Sequence, residues 1–182
     1  EIVEVYMGSL VGEKNYDRYG LTFPLLIKSL ECHDTLSVQV HPDDELAAER
    51  HNSYGKTEMW YIASCEEGAT IYIGFKDRNI TREEYLAAVN EDRLAEIMNR
   101  VEVKAGDVYF IPAGTIHALG RGVNVIEIQQ TSDITYRIYD WNRTDANGKA
   151  RELHTALAVD AIDFSSDAEA CHKHYTLKTN QA

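Results

Sequence analysis

Two histidines, a glutamate and a glutamine stand out because each lies in a segment whose pattern could aim it at a common point. Within residues 36–45, positions 36–41 alternate apolar and polar side chains, so an extended strand sets Ser37, Gln39 and His41 on one face and Leu36, Val38 and Val40 on the other. Glu58 lies in a second strand-like run, residues 55–62, and His117 closes the segment 106–117, where Pro112 fixes one dihedral and Gly114 permits a tight bend. Two imidazoles, a carboxylate and an amide oxygen are donors that zinc accepts, and a catalytic zinc site leaves one position open for water or substrate. A lone histidine in a His-Pro or Pro-x-Gly turn is more often structural; the joint pattern of Gln39-x-His41, Glu58 and His117 is what points to a metal. His33, His51, His154, His172 and His174 lack such spacing and read as structural, the pair 172 and 174 having no third donor nearby.

The elements that must hold these residues are mostly strands. Apolar positions Ile2, Val3, Tyr6, Met7 and Leu10 recur at helical spacing, so residues 1–20 read as a helical segment stopped at Gly20. Strands are expected at 23–30, with Pro24 at the start, at 36–41, 58–63, 69–74, 101–104, 107–111, 123–129 and 135–139. A short helix from Glu45 to about Arg50, capped by Asp43 and Asp44, is inserted between two of the donor-bearing strands. Thr81-Arg-Glu-Glu84 is a capping box that opens two short helices broken near Asn90, and residues 152–160 suit another. Short strands, regular turns and only interrupting helices predict a mainly β fold, closed or sandwiched and antiparallel, with the metal inside it. Trp60, Tyr61, Tyr109 and Tyr136, as strand aromatics, are assigned to packing.

Bulk properties limit the function. The 182 residues suffice for one well-buried core. A net charge of -12 argues against a nucleic-acid partner or an anionic membrane surface, both of which need a concentrated basic face. An anionic ligand would therefore need positive charge supplied locally. The three cysteines, Cys32, Cys65 and Cys171, form no Cys-x-x-Cys pair and suggest neither a disulfide framework nor a thiolate zinc site, which fits a reducing, cytoplasmic setting. No run reaches the length of a spanning helix, and the sequence carries no signal of oligomeric state. The chain begins at Glu1 in what reads as the middle of a helix, so a fragment or a processed chain is expected.

At this point a resemblance enters. Gly106 to His117 resembles the second motif of the cupin superfamily, and Gln39-x-His41 with Glu58 resembles the first, with glutamine in place of its usual first histidine. Within cupins, residues 36–45, 55–61 and 112–119, with 130–141 after them, closely resemble type I phosphomannose isomerases of the short bacterial form, over about residues 20 to 160. The resemblance implies a cupin-type jelly-roll β-barrel with short inserted helices. Its division is an N-terminal helical segment at 1–20, a metal-binding barrel at 21–160, and a tail or the start of a second β region at 161–182. It implies interconversion of mannose 6-phosphate and fructose 6-phosphate through an enediol, with one zinc ion per chain held by Gln39, His41, Glu58 and His117. Arg137 matches the family's active-site arginine, suited to a developing oxyanion; Ser37, Lys56 and Lys28 match positions at the phosphate end or active centre. Glu127, in an otherwise apolar strand, is the first candidate for the base and Lys56 the second. The family runs beyond both ends of this chain, which puts its activity in question.

Two rivals remain. Two histidines and a carboxylate also describe an iron oxygenase triad, against which Gln39 and the nearby lysines speak. A non-catalytic sugar-phosphate-binding cupin, or an inactive fragment of the isomerase, would keep the same residues.

Overall fold

The computed structural model describes residues 1–175. Two helices, α1 (Ile2–Val11) and α2 (Glu13–Tyr19), precede a strand-rich body. They replace the single helical segment expected at 1–20, because Gly12 takes a φ of 87° and Met7 one of 44°, both outside helical backbone. The remaining order is β1 (Leu25–Glu31), β2 (Val38–Val40), α3 (Asp44–His51), β3 (Glu58–Cys65), β4 (Thr70–Phe75), α4 (Arg82–Asn90), α5 (Leu94–Ile97) and β5 (Met98–Glu102). It continues with β6 (Val108–Ile111), β7 (His117–Leu119), β8 (Val123–Gln130), β9 (Tyr136–Tyr139), α6 (Thr155–Ala161), α7 (Ala168–Cys171) and β10 (His172–Lys173).

The strands form two antiparallel five-stranded sheets, ordered β1-β8-β3-β6-β10 and β5-β4-β7-β2-β9. The chain changes sheet at every connection between successive strands except β4 to β5, which is the winding of a jelly roll. The mainly β, cupin-type expectation therefore holds. The segment from 161 onward returns to this body: Ile162 and Cys171 are buried, and β10 pairs with β6. Residues 176–182 of the expected tail lie outside the described residues.

Two apolar cores result. One lies between the sheets and joins Trp60, Ile62, Tyr109 and Ile111 to Ile71, Ile73 and Leu119. The other lies on the far side of the second sheet, where Tyr85, Leu94, Ala158 and Val159 cover Val38, Val40, Ala118 and Ile138. This second core revises the picture of the strand expected at 36–41: it forms over Val38–Val40, where helices seal Val38 and Val40, while Leu36 stays exposed ahead of it. Among the described residues nothing covers the outer face of the first sheet in this way, and it exposes Ile27, Tyr61 and Phe110. Tyr61 is thus not a packing residue of the interior, unlike Trp60 and Tyr109. Met98, at helical spacing in the sequence, instead opens β5 once α5 ends at Ile97.

Local signals set the inserted helices. Asp43 caps α3, its Oδ1 accepting from Leu46 N at 2.8 Å. On α4 the Thr81 hydroxyl accepts from Glu84 N at 3.2 Å while the Glu84 carboxylate accepts from Thr81 N at 2.8 Å. Because α4 carries the fully buried Tyr85 into the outer core, Thr81→Ala should lower stability by about 1 kcal/mol. The midpoint of urea unfolding reads this directly, with an unchanged m-value expected.

Candidate metal centre

The site forms where the two sheets meet. The first sheet contributes Glu58, the first residue of β3, whose inward positions Glu58, Trp60 and Ile62 alternate with Met59 and Tyr61. The second contributes Gln39 from β2 and His117 from β7, which are register partners. His117 is therefore a strand residue rather than a residue of the preceding turn; Gly114 stays in that turn at a φ of 87°. His41 follows β2 directly. Arg137 on β9 is Gln39's register partner on its other side, so His117, Gln39 and Arg137 stand in one row across three strands.

His41, Glu58 and His117 are each 1% exposed, and their donor atoms lie within 4.8 Å of one another. Nδ1 of His41 donates to the Ile134 carbonyl at 3.0 Å and Nδ1 of His117 to the Thr115 carbonyl at 2.8 Å. Those bonds turn both Nε2 lone pairs inward and fix the tautomer, as a carbonyl behind the far ring nitrogen does for a metal-binding histidine. His41 Nε2 stands 3.2 Å from Glu58 Oε1, and His117 Nε2 stands 3.7 Å from Glu58 Oε2. Gln39 Nε2 is 3.4 Å from His117 Nε2, and a half-turn of the amide presents its oxygen there instead. Tetrahedral donors about 2 Å from a zinc ion stand roughly 3.3 Å apart, so these separations suit an ion between them. His41 Nε2 and Glu58 Oε1 are moreover buried without an aligned hydrogen-bond partner, the kind of orphan pair an ion satisfies. The residues present fit a divalent metal.

Electrostatics agree. Burial pushes the His41 imidazole down to about 4, against the pull of Glu58, and lowers His117 as well, so both imidazoles are neutral at pH 7. Burial opposes the charge on Glu58, but contact with His41 and then the fields of His41, His117 and Lys56 hold its carboxyl below the usual range. With His41 uncharged at neutral pH, the cation that stands by Glu58 is Lys56, whose buried Nζ is 3.0 Å from Oε1.

The other expected site residues divide. Lys56 is at the centre. Ser37 is buried just ahead of β2. Arg137 gives Nη1 to the Glu152 carbonyl at 3.0 Å while its Nε is buried without a partner; burial and then Arg151 lower its pKa. Lys28 and Glu127, expected as separate contributors, are bonded to each other at 3.0 Å, and Lys28 also donates to Gln129. Glu127 is thus a paired carboxylate, and two of the three Lys28 donor directions are engaged. Trp60, assigned to packing, also has a polar role: its Nε1–H is shared between Glu58 Oε2 at 3.1 Å and Glu127 Oε2 at 3.2 Å. The period of two could have found it, since Trp60 lies two residues after Glu58, as Gln129 lies two after Glu127.

Comparison with known proteins follows the same line. Residues 1–68 match the family model of the catalytic domain of type I phosphomannose isomerase. Mannose-6-phosphate isomerase of Bacillus subtilis is 43% identical over 167 residues, 91% of this chain and 51% of that protein. The chain is related to the type I phosphomannose isomerases. The Streptococcus mutans mannose-6-phosphate isomerase is 42% identical over 148 residues, 81% of this chain and 46% of that protein. The crystal structure of the B. subtilis isomerase superposes with a TM-score of 0.77 at 40% identity, covering 85% of this chain and 52% of that one. The chain thus spans about half the length of the curated relatives it matches. The stretch matched by the family model contains Lys28, Ser37, Gln39, His41, Lys56 and Glu58 but ends before His117, Glu127 and Arg137.

Proposed function

We propose that this chain carries the active site of a zinc-dependent aldose-ketose isomerase acting on mannose 6-phosphate and fructose 6-phosphate. The observation that carries the proposal is the inward-turned pair of imidazoles around Glu58, in a chain 43% identical to a mannose-6-phosphate isomerase. His41, Glu58, His117 and Gln39 would hold the ion, which when bound would supply Lewis-acid stabilisation of the sugar's oxygens. Gln39 as a fourth donor favours zinc over the iron of a two-histidine, one-carboxylate oxygenase.

The remaining steps belong to the chain's own residues. Aldose-ketose interconversion removes the proton on C2, passes through an enediol and returns a proton to C1, while a hydroxyl proton moves between O2 and O1. Lys56, buried beside Glu58, is the better-situated proton carrier, because Glu127 is already engaged by Lys28 and Trp60. Arg137, with a free Nε one strand from Gln39, suits the developing oxyanion. Ser37 and the remaining donor direction of Lys28 would meet the phosphate.

Metal analysis of protein purified without added metal should find about one zinc per chain. A coupled assay should detect fructose 6-phosphate formed from mannose 6-phosphate. Iron with oxygen consumption would overturn the reading, and zinc with substrate binding but no turnover would establish the non-catalytic cupin in its place.

A further inference from the structure

The shared indole proton of Trp60 links two carboxylates that the proposed function treats separately. Trp60 is 1% exposed, so no water can replace its N–H as a donor. Glu58 divides its two oxygens: Oε1 faces His41 and Lys56, while Oε2 takes the indole. Glu127 divides in the same way, Oε1 to Lys28 and Oε2 to the indole. Glu58, Trp60, Glu127 and Lys28 therefore alternate acceptor and donor in one hydrogen-bonded line, with Lys56 ion-paired to Glu58 at its inner end. It runs through β3, β8 and β1, from the metal centre to the edge of the first sheet, where the Lys28 side chain is 35% exposed. One donor between two anions must be partitioned, so whatever strengthens one bond weakens the other.

We propose that Trp60 is a positioning residue: its N–H fixes Glu58 so that Oε1 is offered to the ion site, and it transmits the charge of Glu127 to that site. This rests on the reading of the cluster as a zinc centre. The indole ring also packs edge-on against His117, with centroids 5.3 Å apart, and that packing role is the alternative. A phenylalanine keeps an aromatic face there and lacks only the donor and part of the ring.

The test is zinc affinity, measured by competition with a chromophoric chelator, in wild type, Trp60→Phe, Glu127→Gln and the double variant. Trp60→Phe should bind zinc about 10- to 100-fold more weakly, the usual effect of losing an outer-shell partner. Glu127→Gln should weaken binding by about fivefold, because the indole then leans on Glu58 and draws charge from it. That second effect should shrink when Trp60 is already phenylalanine. Unchanged affinity in Trp60→Phe, or an equal Glu127→Gln effect in both backgrounds, overturns the proposal. Should circular dichroism show Trp60→Phe unfolded, Glu127→Gln decides alone, and unchanged affinity in it overturns the proposal. A wild-type chain that takes up no zinc overturns the metal reading and this inference with it; tight wild-type binding with unaffected variants overturns the inference only.

Discussion

Glu58→Ala is expected to abolish tight zinc binding and to lower stability in the same step. The carboxylate is the only anionic donor of the cluster, and it alone reaches both imidazoles. Without it the two neutral histidines and an amide keep too little charge to bind a divalent ion tightly. The stability effect has another source, since Lys56 lies with 7% of its side chain exposed and its Nζ 3.0 Å from Glu58 Oε1. Removing one member of a buried pair typically destabilises by about 3–5 kcal/mol, because the other charge is left unmatched. The two effects can be separated. A Lys56→Met, Glu58→Leu double variant should recover much of the stability and none of the metal affinity. Urea unfolding in the presence of a chelator reads the first, and chelator competition reads the second. Full zinc occupancy in Glu58→Ala would mean that the ligands have been wrongly chosen.

Gly120→Ala should be among the most damaging single substitutions outside the site. A Cβ at that position would lie 2.0 Å from the Thr70 carbonyl oxygen and 3.0 Å from its carbon. Both are backbone atoms at the start of β4, the strand that pairs with β7, and a sheet backbone cannot yield as a side chain can. An overpacking penalty of about 3 kcal/mol or more is expected. In a chain of this size that corresponds to a melting temperature lower by roughly 6–12 °C. Gly68→Ala is the contrast. It has open space within 4 Å but a φ of 71°, so only the left-handed backbone penalty of about 1 kcal/mol applies. Equal losses in the two variants would show that the close approach is not what matters at Gly120.

The alternation around Gln39 and His41 was legible because a strand repeats every two residues, and the same rule applied to Glu58. His117 was legible by its turn, yet its strand was not: three residues, His117–Leu119, are too few for a periodic signal. The partnering of Lys28 with Glu127 could not be read at all. It depends on register, Lys28 opposite Glu127 across β1 and β8, and register is set by pairings 99 residues apart in sequence. The kink at Met7 inside α1 and the break at Gly12 between α1 and α2 were missed for a simpler reason, since apolar spacing runs on past Met7 while the backbone does not stay helical at either residue.

The jelly-roll winding also has a consequence for the order of folding. The cluster's donors span residues 39 to 117 and come from both sheets, Gln39, His41 and His117 from β2, its end and β7, and Glu58 from β3. A ligand ion finds its full set of donors only after the sheets have docked, and its binding energy then accrues to the finished fold alone. Metal uptake in this chain would therefore be a late event, limited by the slow closure of long-range contacts rather than by encounter with the ion. The centre would act as a latch on the assembled sandwich, and the rate of loading would report how fast the two sheets meet.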